Sequence, residues 1–89
     1  LIGLKKKNKF ATQTEWFNEL TWNPPLSGLM PASYRIYSDN LANLVGIVSA
    51  TDPLSFIDNR ISKRTSYTYY VTCLDIEGNQ SEPAVVTIR

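Results

Sequence analysis

The stretch from Ile61 to Asp75 constrains this chain more than any other. From Tyr67 the odd positions read Tyr, Tyr, Val, Cys, and the even positions between them read Thr, Tyr, Thr, Leu. A period of two, built from β-branched and aromatic residues, predicts a strand with one face in a core. Ile61 and Thr65 lead into it at odd spacing, and Asp75-Ile-Glu-Gly78-Asn79 closes it with turn chemistry. No window carries a sustained helical stripe. Pro24, Pro25, Pro31, Pro53 and Pro83 interrupt the chain often enough to forbid long helices.

The remaining segments divide into short runs between turn signals, an all-β pattern. Leu1 to Phe10 is lysine-rich and reads as an edge strand, where charge discourages intermolecular pairing. Thr14 to Trp22 places Leu20 and Trp22 on one face. Asn18 breaks that apolar alternation, and a bulge near Phe17 and Asn18 would explain the break. Asn23-Pro24-Pro25 ends the run, and the loop Leu26 to Ala32 follows. Four further short strands are expected: Ser33 to Ser38 with Tyr34 and Ile36 inward, Leu44 to Ser49 with Val45 and Ile47 or their neighbours inward, Leu54 to Asp58 with Phe56 inward, and Ala84 to Arg89 with Val86 and Ile88 inward. With Tyr67 to Asp75 this makes seven strands, the pattern of an antiparallel β-sandwich.

Composition agrees. Eighty-nine residues make one domain, residues 1–89, and 43% hydrophobic content supplies a core. The net charge is +1, so no global field selects nucleic acid or an anionic membrane. No apolar stretch approaches the roughly 20 residues of a membrane helix. The lone Cys73 cannot close an internal disulfide, and its place in the alternating run predicts a buried, inert thiol. The chain starts with Leu1 and is expected to be a piece of a longer protein.

Catalysis has little to work with. There is no His, so the usual general base near neutral pH and the commonest metal ligand are missing. Cys73 has no base to ionise it, and the four glycines do not gather into a phosphate loop. Asp75-x-Glu77-x-Asn79 resembles half of a calcium loop but lacks the closing glutamate. A turn, in which Gly78 and Asn79 tolerate positive φ and Asp75 can bond turn amides, is the expected structure. No catalytic residue, cofactor or metal site is expected. The run Lys5-Lys6-Lys7-x-Lys9 is read as a solvated edge rather than a phosphate-binding surface.

At this point the motifs resemble a known family. Leu20-x-Trp22-x-x-Pro25, Tyr34-Arg-Ile36-Tyr37 and the ladder Ile61-x-x-x-Thr65-x-Tyr67-x-Tyr69-x-Val71-x-Cys73 resemble fibronectin type III domains. They stand in the family's order, and the resemblance runs from about Phe10 to Ile88. Asp75 to Pro83 looks like the turn of bacterial members. The resemblance implies an immunoglobulin-like sandwich and makes Tyr67 the tyrosine corner, its hydroxyl bonding to backbone near Ile61. There are departures. Ser62-Lys63-Arg64 stands where a proline-glycine pair is common, and the first strand is basic and lacks the usual proline. The Arg-Gly-Asp tripeptide and the Trp-Ser-x-Trp-Ser box are absent, so neither of those functions carries over.

The expected function is non-catalytic: an interaction or spacer module of a larger, bacterial, surface or secreted protein. The alternative is an accessory carbohydrate-binding domain attached to a glycoside hydrolase. The expected partners are a protein, neighbouring domains of the same chain, or a glycan. Candidate contact residues are Tyr37 and Tyr70, on the outward phase of neighbouring strands, Leu29 and Met30 in the loop before the third strand, and Asn79 and Gln80 in the final turn.

Overall fold

The run that opens the sequence argument forms β6, Tyr67–Asp75, and its odd face enters the core. Tyr69 is 0% exposed, Val71 6% and Cys73 4%. The computed structural model describes residues 1–10, 13–24, 31–59, 61 and 65–89, and their side chains except at 7–10 and 13–15. The other strands are β1 (Ile2–Phe10), β2 (Gln13–Thr21), β3 (Pro31–Ser38), β4 (Leu44–Ser49), β5 (Ser55–Asp58) and β7 (Ala84–Ile88).

These strands form two antiparallel sheets, one ordered β1-β2-β5 and the other β4-β3-β6-β7. Leu20 from the first sheet joins Tyr34, Ile36, Tyr69, Val71, Cys73 and Ile88 from the second in one buried cluster. Trp22, Phe56 and Val86 pack against it. The protein is therefore an all-β sandwich. The sheets pack closely where Gly3 faces β7: a Cβ on Gly3 would lie 2.7 Å from Ile88 Cδ1. Only a residue without a Cβ leaves room there.

One local expectation needs correction, and another is narrowed. The bulge at Phe17 and Asn18 is absent, because β1 and β2 pair without a shift from Ile2↔Thr21 to Phe10↔Gln13. Asn18 keeps the inward phase and is 0% exposed. It tolerates burial because its amide donates to the Tyr69 hydroxyl at 2.8 Å. That hydroxyl donates in turn to Asp58 Oδ2 at 2.7 Å, so a polar chain links the two sheets through the core. A bulge does occur, between Ile36 and Tyr37 opposite β4, and it leaves Val45 without a partner in the register. Val45 and Val48 therefore both pack on the core, while Ile47 turns outward at 61% exposure. The sequence leaves Val45 and Ile47 or their neighbours as the inward set, and the bulge brings in Val45 with Val48, a neighbour of Ile47.

Burial pushes the Cys73 thiol above its ordinary pKa, and the nearby Asp75 charge adds to this. Both effects keep the thiol protonated, in keeping with its role as packing.

Candidate functional site: the outer face of the four-stranded sheet

The bulge at Tyr37 also sets the outer face of the second sheet. Tyr37 stands opposite Leu44 on one side and Tyr70 on the other, and Tyr70 stands opposite Val85. Leu44, Tyr37, Tyr70 and Val85 thus form one cross-strand row over all four strands. Leu44 is 47% exposed and Val85 53%, and Tyr70 is half-buried. The neighbouring row runs from Ile47 through Arg35 to Thr72.

Tyr37 lies on the outward face as expected, but it is only 8% exposed. It occupies the middle of the sheet, where strands on both sides and long polar side chains cover it. Gln80 Nε2 donates to the Tyr37 hydroxyl at 3.3 Å and to Thr72 Oγ1 at 2.9 Å. Burial pushes the Tyr37 phenol up, but hydrogen bonds from Gln80 and Arg35 and the Arg35 charge outweigh it. Its pKa falls below the ordinary tyrosine value. The accessible aromatic of this face is Tyr70, with Tyr37 as its packed base.

Three sequence candidates, Tyr37, Tyr70 and Gln80, therefore converge on one surface. Asn79 is committed elsewhere. Its backbone N–H donates to Asp75 Oδ1 at 2.8 Å and its amide to Asp75 Oδ2 at 3.1 Å. The Glu77 N–H donates to the same Oδ1 at 2.9 Å. These bonds, from the Asn79 N–H above all, hold the Asp75 carboxyl below its ordinary pKa against an opposing desolvation. Gly78 takes φ 91°, which closes the turn. This is the turn chemistry read from the sequence. Both Asp75 oxygens accept bonds within this turn. Leu29 and Met30 lie outside the described residues.

Leu44, Ile47 and Val85 were not named as surface residues. Gly46 lies over the Phe56 ring, and its neighbour Ile47 points out. The basic run is partly engaged within the fold. Lys6 pairs with Glu19 at 2.8 Å. Lys5 donates to the Thr65 carbonyl at 3.1 Å and lies 6.0 Å from the centre of the Tyr67 ring. The Tyr67 ring stacks on Tyr69 at 6.3 Å. Of the segment 60–64, where the corner bond of Tyr67 was expected, Ile61 alone is described.

No protein-family model matches the chain, and no solved structure matches it. Over 71 residues the chain is 30% identical to an amylopullulanase of Thermoanaerobacterium thermosulfurigenes. The match covers 79% of this chain and 4% of that protein. The likeness is thus to one small part of a much larger protein.

Proposed function

We propose that this chain is a non-catalytic module of fibronectin type III kind, serving as an interaction or spacer unit within a larger extracellular, bacterial protein that acts on glycans. The sheet order β1-β2-β5 against β4-β3-β6-β7 supports the family reading. The amylopullulanase match supports the setting. The shape suits a spacer, with a long axis of 48 Å against 24 and 18 Å.

The observation that carries the interaction reading is the row Leu44–Tyr37–Tyr70–Val85. Exposed aliphatics flank an aromatic, with Arg35 and Gln80 beside them, the composition of an interface centre rather than of a bare solvated sheet. Hydroxyl-radical footprinting tests it, with the chain alone and within a longer polypeptide carrying its flanking domains. Labelling of Leu44, Tyr70 and Val85 is expected to fall in the longer form. Equal labelling in both forms counts against the row as an interdomain contact.

A second reading, an accessory carbohydrate-binding domain, is favoured by the amylopullulanase match alone. Retardation of the isolated chain in a native gel cast with soluble starch or pullulan supports it, and unaltered mobility rejects it.

A further inference from the structure

Among the described residues the sandwich leaves four strands at sheet edges: β1 and β5 in the first sheet, β4 and β7 in the second. An edge invites a further strand unless charge, proline or shortness guards it. β1 carries Lys5, Lys6, Lys7 and Lys9. β5 is four residues long and ends on Asp58. β7 is five residues long and lies between Pro83 and Arg89. β4 has none of these guards. Its six residues read Leu-Val-Gly-Ile-Val-Ser, and the sequence holds no charge and no proline from Leu41 to Thr51.

Backbone phase shows what this edge offers. The Ala50 N–H donates to the Ala32 carbonyl at 3.0 Å. Opposite residues of an antiparallel ladder alternate between bonded and non-bonded pairs. Tyr34↔Val48 and Ile36↔Gly46 are therefore bonded, and Arg35↔Ile47 is not. The N–H and C=O of Ile47 point away from β3 into the open edge, and the Ser49 N–H points the same way. The Ile47 side chain stands exposed on the outer face. A cleft of about 380 Å³ opens at the pole, where the turn after β3 and the start of β4 meet the end of β5 and the start of β6. Asp39, Asn43, Phe56, Asp58, Asn59 and Tyr67 line it, and Ile47 does not. The edge at Ile47 is thus a surface of its own.

The strand that fits this edge by symmetry is a second β4. A two-fold axis through Ile47, normal to the sheet, sets two copies antiparallel. Ile47 then faces its own counterpart as a bonded pair, each N–H donating to the other carbonyl. Gly46 falls opposite Val48, and both occupy the core-facing phase. The outer faces stay on one side of the joined sheet, so the two Ile47 side chains cover each other as an aliphatic cross-strand pair. No charge on either strand opposes the approach, whereas two copies of β1 bring lysines together.

We propose that this chain pairs with a second copy of itself through β4, joining two four-stranded sheets into one of eight strands. A short edge contact buries little area, so the dimer is weak, half-formed between about 10 µM and 1 mM. The two-fold contact consumes both β4 edges and stops at two copies. Sedimentation velocity across that range tests the stoichiometry, and amide exchange followed by NMR tests the location without any variant. Exchange at Ile47 is expected to slow as concentration rises, while Val48, already bonded to Tyr34, is unaffected. Ile47→Lys, at an exposed position, sets like charges opposite each other and is expected to weaken association more than about tenfold. Ile47→Val keeps it within about threefold, and Tyr70→Ala, on the outer-face row, leaves it unchanged. A chain that stays monomeric at about 1 mM overturns the proposal. So do species that grow past two copies, Ile47 exchange that ignores concentration, and a dimer that survives Ile47→Lys.

Discussion

Removing the Tyr69 hydroxyl is the sharpest test of how this sandwich is held together. In Tyr69→Phe the ring still fills the core, so no large cavity forms. Two bonds disappear: the one from Asn18, 2.8 Å long, and the one to Asp58, 2.7 Å long. Asn18 is 0% exposed and its Oδ1 already has no partner, so the variant leaves its whole amide unsatisfied. A buried polar group left without a partner costs about 1–3 kcal/mol. Asp58 is half-buried and turns to water, so its share is about 0.5–1 kcal/mol. The sum is about 1.5–4 kcal/mol, a fall of roughly 6–30 °C in Tm for a domain this small. A domain of 89 residues has about 4–13 kcal/mol in hand, so the variant still folds. Urea unfolding followed by tryptophan fluorescence measures it, with an unchanged slope as the check that both states keep their compactness. The double variant Tyr69→Phe with Asn18→Leu removes the stranded amide as well. It is expected to recover about 1–2 kcal/mol relative to the sum of the two single changes. A Tyr69→Phe cost below about 0.5 kcal/mol, or strict additivity in the double variant, refutes the argument.

Other changes report on other parts of the fold. Gly46→Ala places a Cβ 2.9 Å from Phe56 Cδ1, inside contact distance, and is expected to cost about 1–3 kcal/mol in the same urea assay. Cys73, at 4% exposure and with its pKa raised, is expected to resist a thiol reagent at neutral pH and to react fully in denaturant; fast labelling of the native chain would place the thiol at the surface. The Asp75 carboxyl titrates below its ordinary 3.8 in the folded state, so the unfolded chain takes up its proton first as pH falls. Its contribution is present above that value and is lost as pH drops through the lower folded pKa. Asp75→Asn is therefore expected to flatten the fall in Tm at acid pH, and an unaltered profile would show that the turn bonds contribute nothing. Burial pushes the Tyr69 phenol well above the usual tyrosine pKa of 10.0, so the folded state keeps its proton while the unfolded chain loses it. Stability is expected to decline above pH 10 and to decline less steeply in Tyr69→Phe.

The architecture was legible because burial writes itself into alternation. Tyr69, Val71 and Cys73, Tyr34 and Ile36, and Val86 and Ile88 all read inward and lie inward. Legibility failed where one residue departs from the pattern for a reason held elsewhere in the chain. Asn18 looked like a bulge because its partner is a hydroxyl 51 positions away. The inward set of β4 stayed open between Val45 and Ile47 or their neighbours, because nothing local announces that the partner strand shifts register at Ile36 and Tyr37. Tyr37 and Tyr70 were read as a surface pair from phase alone. The phase was right, but phase carries no information on cover, and Gln80 reaches Tyr37 across 43 residues of sequence.

The same reasoning explains why the cleft had no trace in the sequence. Its walls come from four separate segments, each of which supplies an ordinary turn or strand end. Asp39 and Asn43 read as turn formers, Asp58 and Asn59 as a strand terminus, and Phe56 and Tyr67 as core. Only the topology brings them together, because β4 and β5 lie on the open edges of different sheets and leave a seam at the pole. The outer-face row is the opposite case, a set of residues fixed by strand pairing in one sheet. The two surfaces share no residue, so Tyr70→Ala perturbs the outer face and leaves the pole intact. A spacer that docks through this row responds to that change in the interdomain footprint.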